Sequence, residues 1–320
     1  MKKATALNLI GMALLLAATI VWGTSFFILK ETIESAPTFF VIAVRFLIAG
    51  IGLSLIFIKK LLSTKKSALL RGIILGLLLT AAYMTQTIGL ENTTPGRNAF
   101  LTSSYCVMCP FIIWALFRTR PKLYNVISAV LCIVGIGMVA LSGAEVTEEN
   151  VLLGDGLTLC SAVFFGLQII FIDKYQTEGY DPVQLLIPEL LTVGVIFIAT
   201  SAIFELPNIG ISGYALNSEQ ILNVLYLTFA CTFFAQFAQI LGQKFTTANQ
   251  SAIILSLESV FGVMFSVIFG VEKLTTLIII GFVIIFIAMM VSELHLDPVK
   301  LFKKKSAKLS AADENKNKEE

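Results

Sequence analysis

The sequence predicts an all-α membrane protein: ten transmembrane helices arranged as two inverted five-helix repeats. Three observations predict it. The chain holds ten apolar segments of bilayer-crossing length, its Lys and Arg residues lie on one side of them, and its second half weakly resembles its first. Composition agrees, since 57% of the 320 residues are hydrophobic and 14% charged, with a mean hydropathy of +0.87. A soluble domain carries about 25% charged residues, so an ordinary soluble enzyme is excluded. The net charge of +2 gives no reason to expect a nucleic-acid partner.

The segments run over 7–29, 38–58, 69–89, 97–117, 123–141, 153–173, 182–203, 219–241, 248–270 and 275–293. A spanning helix needs about 20 apolar residues, and each segment supplies that length. Met1-Lys2-Lys3 followed by an apolar run resembles a secretory leader. The run is too long for an h-region, however, and no small-x-small site precedes Gly23, so an uncleaved first helix is expected. With the N-terminus inside, 17 Lys and Arg residues, from Lys2 and Lys3 through Arg71 and Lys174 to the 300–308 cluster, face the cytoplasm. Only Lys30, Arg97 and Lys273 face outward, together with an acidic set that includes Glu31, Glu145, Asp155 and Glu205. This asymmetry orients a multi-pass protein of the cell membrane with both termini cytoplasmic.

The expected units are residues 1–148, with the first five helices, residues 149–296, with the second five, and a disordered cytoplasmic tail over 297–320. The tail lacks the apolar area to fold, and its Lys cluster anchors topology or meets anionic lipid headgroups. Residues 20–27 match 163–170 through Gly23 and Gly166, and Pro37 and Pro182 follow at similar distances. Pro is tolerated where a helix opens. Residues 89–99 match 242–252, with Thr93-Thr94 opposite Thr246-Thr247. Five helices is an odd number, so a second copy enters from the opposite face, as in secondary transporters.

Several stretches together resemble the ten-helix, EamA-type branch of the drug/metabolite transporter superfamily. They are Trp22-Gly23-Thr24-Ser25-Phe26, Ala36-Pro37 with Ala43-Val44-Arg45-Phe46-Leu47, and 92–101 leading through Tyr105 to Pro110-Phe111. Leu257-Glu258-Ser259-Val260-Phe261 and Val271-Glu272-Lys273-Leu274-Thr275 continue the likeness, which covers residues 8–293. Ser259 stands where a Pro is usual, and Arg118-Thr119-Arg120-Pro121 replaces a usual acidic residue. The resemblance implies helices 1–4 and 6–9 around a cavity, with helices 5 and 10 packed aside. It implies transport without naming a cargo, because the family includes exporters of amino acids, metabolites and drugs, and also importers.

Charges inside the membrane are costly unless paired or hydrated. Arg45 lies about 11 Å below the outer surface by helix rise, and Glu189 lies as deep from the inner one. Their depths differ by about 10 Å across a core of ~30 Å, which argues against a direct salt bridge. They either border one hydrated cavity or bond freed backbone groups. Glu258, near the middle of its segment, either takes up a coupling proton or ties helices together. Gln86, Gln168, Gln236, Gln239, Asn98 and Tyr105 are expected to face inward, as cavity lining or as interhelical hydrogen bonds. Trp22, with Ser25 beside it, offers an aromatic wall or marks the interface. Gly11, Gly23, Gly50, Gly52, Gly72, Gly76, Gly135 and Gly137 fit close helix contacts. Cys106 and Cys109 form a C-x-x-C on an apolar helix, and His295 is the only histidine, so neither a metal site nor a cofactor is expected.

The expected function is a secondary transporter moving a small organic solute by alternating access. The cargo is an amino acid, a similar polar metabolite or a drug-like compound, and export is the expected direction. No Walker-type motif is present. A channel and a membrane-embedded enzyme are the alternatives, the latter weakened by the lack of any nucleophile–base pair or metal cluster. Proton coupling at Glu258 and a homodimer are both compatible with the sequence.

Overall fold

The computed structural model describes residues 2–141, 149–270 and 275–293. The tail over 297–320, His295, the link between the halves at 142–148 and the 271–274 part of the second-half motif lie outside the described residues. The main helices are α1 (Lys2–Ile33), α2 (Thr38–Ile56), α3 (Lys66–Asn92), α4 (Pro95–Phe117), α5 (Leu123–Leu141) and α6 (Glu149–Thr177). They continue with α7 (Pro182–Phe204), α8 (Ser218–Gln243), α9 (Ala248–Ile268) and α10 (Thr276–Glu293). Among the described residues, eight helices, α1 to α4 and α6 to α9, are long and apolar enough to cross a membrane. The described apolar stretches of α5 and α10, Leu123–Gly135 and Ile279–Ala288, fall short of that length alone. The helices outrun the apolar segments, α3 for example starting at Lys66, because polar residues continue a helix beyond the hydrocarbon.

Local sequence sets the ends. Thr94 caps α4 by accepting from the Arg97 N–H, with Pro95 at the first helical position. Thr247 and Gln250 form a capping box on α9, as Asn217 and Gln220 do on α8. Asp181 caps α7, with Pro182 at the first position, whereas Pro37 precedes α2 and provides no side-chain cap. Two helices are interrupted. The helix of α4 breaks at Ser103 and Ser104 and resumes at Tyr105, and that of α9 breaks at Leu257 and resumes at Glu258.

Packing crosses between the halves. Helix α3 lies on α6 and α7, α1 lies on α8 and α9, α2 on α7 and α8, and α4 on α6 and α9, while α5 and α10 pack on each other. Exchanging each helix for its counterpart five positions on maps this set of pairings onto itself. Glycines permit the closest crossings. A Cβ on Gly11 would lie 2.8 Å from the Gly242 carbonyl oxygen, and one on Gly89 would lie 2.8 Å from that of Gly154. Polarity is inside out. Leu55, Leu62 and Ile211 are exposed, whereas Arg45, Gln168, Glu189 and Glu258 are buried.

Candidate functional site

The central cavity lies between α1, α2, α3 and α4 of one half and α6, α8 and α9 of the other, and holds about 580 Å³ of empty space including its opening. Trp22, Ser25, Arg45, Gln86, Tyr105, Gln168, Gln236, Gln239 and Glu258 all line it. Asn98 does not. It is buried between α3 and α6, donating to the Gln86 carbonyl at 3.1 Å and to Thr158 Oγ1 at 2.7 Å. Glu189 lies behind the wall, where Gln168 Nε2 donates to its Oε1 at 2.7 Å. Gln239 Nε2 in turn donates to Gln168 Oε1 at 3.2 Å, so an amide relay joins Glu189 to the cavity.

Arg45, on α2, is a charged feature of the cavity lining. Its Nε donates to Thr232 Oγ1 at 2.7 Å, and its guanidinium lies 5.4 Å from the ring centres of both Phe46 and Tyr83. Its Nη2 is buried and has no hydrogen-bond partner among the described residues. The ion pairs formed among the described residues are Lys60–Asp181, Arg71–Glu178 and Arg97–Asp155, so Arg45 and Glu189 are not paired with each other. Elsewhere in the lining, Tyr105 Oη donates to Glu258 Oε1 at 3.3 Å. The two helix breaks thus bring the first residues of the resumed helices together. Trp22 Nε1 donates to the Cys231 carbonyl at 2.7 Å, holding the indole edge-on to α8 while the ring faces the cavity.

Hydrogen bonds close the bundle at both ends. At one end Lys30 Nζ donates to the carbonyls of Leu90 and Glu91 at 2.9 Å, joining α1 to the end of α3. The buried Arg97–Asp155 pair, with Thr93 donating to Asp155, ties α4 to α6. At the other end Gln243 Nε2 donates to the Ile169 carbonyl at 3.2 Å and Gln176 Nε2 to the Ile240 carbonyl at 2.8 Å, joining α6 to α8. No three His, Cys, Asp or Glu side chains among the described residues stand close enough to hold a metal ion.

Comparison with known proteins gives this geometry a family. A model of the EamA-like transporter family matches residues 9–141 and again residues 152–293. The chain belongs to the EamA-like transporter family. An uncharacterized transporter of Archaeoglobus fulgidus is 30% identical over 89% of this chain and 85% of its own length. The uncharacterized transporter YoaV of Bacillus subtilis is 24% identical over 60% of this chain and 66% of its own. A solved crystal structure of 15% identity matches with a TM-score of 0.65 over 92% of this chain and 99% of that one, which shows the shared fold. The protein is therefore a multi-pass membrane transporter by family.

Sequence reasoning did not single out Tyr83, Phe165 or Thr232. Tyr83 and Phe165 line the cavity, with ring centres 5.6 Å apart. Nothing distinguishes Phe165 among the 25 phenylalanines of the chain, because composition does not say which face a ring occupies. Thr232 owes its role to a π-helical stretch of α8, Leu227–Phe234, which has no Pro or Gly to mark it.

Proposed function

We propose that this protein is a secondary transporter of a small organic solute, working by alternating access in the cell membrane and exporting its cargo from the cytoplasm. In this reading α1 to α10 all cross the bilayer as two inverted five-helix repeats, with both termini cytoplasmic. The distribution of Lys and Arg supports the orientation, and the pairing of helices, unchanged when the halves are exchanged, supports the repeat. The observation that carries the function is one cavity, lined by both halves of a family transporter, into which Arg45 and Glu258 both project. Buried charged residues in a membrane bundle mark a solute or ion path. The outer tie of α1 to α3 and the inner tie of α6 to α8 supply two closures at opposite ends that can part in turn.

Trp22, Ser25, Gln86, Tyr105, Gln168, Gln236 and Gln239 line the path with Arg45 and Glu258, while Asn98 and Glu189 support it from behind. Glu258, held only by a long hydrogen bond from Tyr105, is the group proposed to exchange a coupling proton. Counterflow in proteoliposomes with labelled amino acids and other small metabolites tests the reading. Saturable flux for at least one solute, lost in Arg45→Ala, is expected. Flux that never saturates, or is unchanged in that variant, overturns it. An imposed pH gradient that drives the wild type and Glu258→Gln equally removes Glu258 from coupling.

A further inference from the structure

Arg45 presents a problem that the fold leaves unsolved. A guanidinium within a membrane bundle needs compensation, yet among the described residues no ion pair reaches it and its Nη2 is buried without a partner. Its remaining support is shaped around one direction of approach. Phe46 and Tyr83 flank the group at 5.4 Å, and Thr232 takes Nε from the α8 side. Thr232 reaches that place because α8 is π-helical over Leu227–Phe234, and its hydroxyl donates to the Leu227 carbonyl at 2.9 Å. The same stretch turns the Cys231 carbonyl to the Trp22 indole. The corresponding part of α3 is uninterrupted α-helix, so the π stretch belongs to the second half alone. Such stretches are rare and gather at functional sites.

From this geometry we infer that Arg45 is the receptor for a carboxylate on the transported solute, and that Thr232 is the positioning residue that turns its free Nη2 toward the cavity. The assignment rests on reading the cavity as the solute site. An arginine fork suits a planar carboxylate, whose charge supplies the compensation that no described side chain of the protein provides. A neutral amide of the same shape offers the acceptor without the charge.

Trp22 is a built-in reporter. The chain has two tryptophans, and Trp114 lies exposed outside the cavity, so Trp114→Phe leaves Trp22 as the sole emitter. In that background, protein in lipid nanodiscs is titrated with benzoate and L-phenylalanine, and separately with benzamide and L-phenylalaninamide. The carboxylates are expected to shift Trp22 emission saturably at concentrations about tenfold or more below their amides, as a charge-assisted hydrogen bond implies. Arg45→Gln should erase the preference. Thr232→Ala should weaken the carboxylates about tenfold with the amides unchanged, and Thr232→Ser should restore them, which separates positioning from misfolding. Equal response to acid and amide, response to none of the four probes, or an unaltered Thr232→Ala variant each overturns the inference. Carboxylate binding without flux of any solute would instead overturn the transport reading and leave the anion site standing.

Discussion

The two halves use one frame for different chemistry. Gly11 meets Gly242 as Gly154 meets Gly89, and Gly50 meets Leu191 as Gly194 meets Leu47. Arg45 precedes Gly50 by five residues, and Glu189 precedes Gly194 by the same five. Gln86 and Gln239 each stand three residues before Gly89 and Gly242, while Tyr105 and Glu258 each open the resumed helix after a break. The contacts shared by the halves are made by small residues and backbone, where shape alone decides the fit. The contacts that differ are single polar side chains, in the cavity lining or buried between helices. A frame that repeats therefore still yields an asymmetric cavity, with the Arg45 cation in its lining and the equivalent Glu189 carboxyl behind it.

The largest difference between the ends is the buried Arg97–Asp155 pair. Arg97 is the third helical residue of α4, and the third of α9 is Gln250, which is exposed. Removing one member of a buried pair leaves the other charge uncompensated, at about 3–5 kcal/mol. Asp155→Ala is therefore expected to lower the detergent-solubilised protein's thermal midpoint sharply, with Arg97→Ala/Asp155→Ala recovering part of the loss. Gln250→Ala should remain within about 1 kcal/mol. Comparable losses from Asp155→Ala and Gln250→Ala would show that this pair does not distinguish the ends.

Next in size are the glycine crossings, where the halves should behave alike. A side chain at Gly11 or Gly154 meets a backbone carbonyl, which cannot move aside as a flexible side chain can. Gly11→Val and Gly154→Val should each lose about 3 kcal/mol by overpacking, while Gly156→Ala, with nothing within 4 Å of the added carbon, should be neutral. Unequal losses at Gly11 and Gly154 would break the correspondence between the two crossings.

Hydropathy made the helices legible because lipid and bundle interior both demand apolar residues. It also singled out the polar residues that break the pattern, eight of which line the cavity. It did not say what those residues touch. Asp155 and Arg97 read as ordinary outer charges, yet they are buried against each other, since a charge near a helix end is solvated or paired according to the neighbouring helix. Asn98 reads like Gln86 but bonds between α3 and α6, because inward-facing residues divide between cavity and helix contact by rotation of a few tens of degrees. The π stretch around Thr232 packs on α1 and α2 and leaves no mark in local sequence.

Glu189 sharpens the comparison with Arg45. Its Oε1 takes the Gln168 amide while its Oε2 has no partner. Glu189→Ala strips Gln168 Nε2 of its acceptor within a buried wall, at about 1–3 kcal/mol. The expected result is a loss of thermal stability with saturable flux retained at a permissive temperature, in contrast to Arg45→Ala. Flux abolished in a well-folded Glu189→Gln protein would place the carboxyl on the transport path rather than behind it.

The smallest effect lies at the starts of α2 and α7. Pro37 offers α2 no cap, and Glu205, beyond the end of α7, accepts from the Phe39 and Phe40 N–H groups at 2.7 and 3.1 Å. Helix α7 is capped by its own Asp181, which also pairs with Lys60 at 2.7 Å. Burial pushes the Asp181 carboxyl up, but the Lys60 ammonium and the N–H groups of Val183 and Gln184 outweigh it, so it sits below the usual carboxylate range. A carboxyl lowered on folding stabilises the protein above its unfolded value, near ~3.9, and that contribution is lost as pH falls through the folded value. Asp181→Ala should therefore lose about 1 kcal/mol at neutral pH. Asp181→Asn, which keeps a capping oxygen, should differ from wild type less at neutral pH and not at all once the carboxyl is protonated. A gap between wild type and Asp181→Asn that widens toward low pH would mean that burial, not Lys60 and the helix start, governs this end of α7.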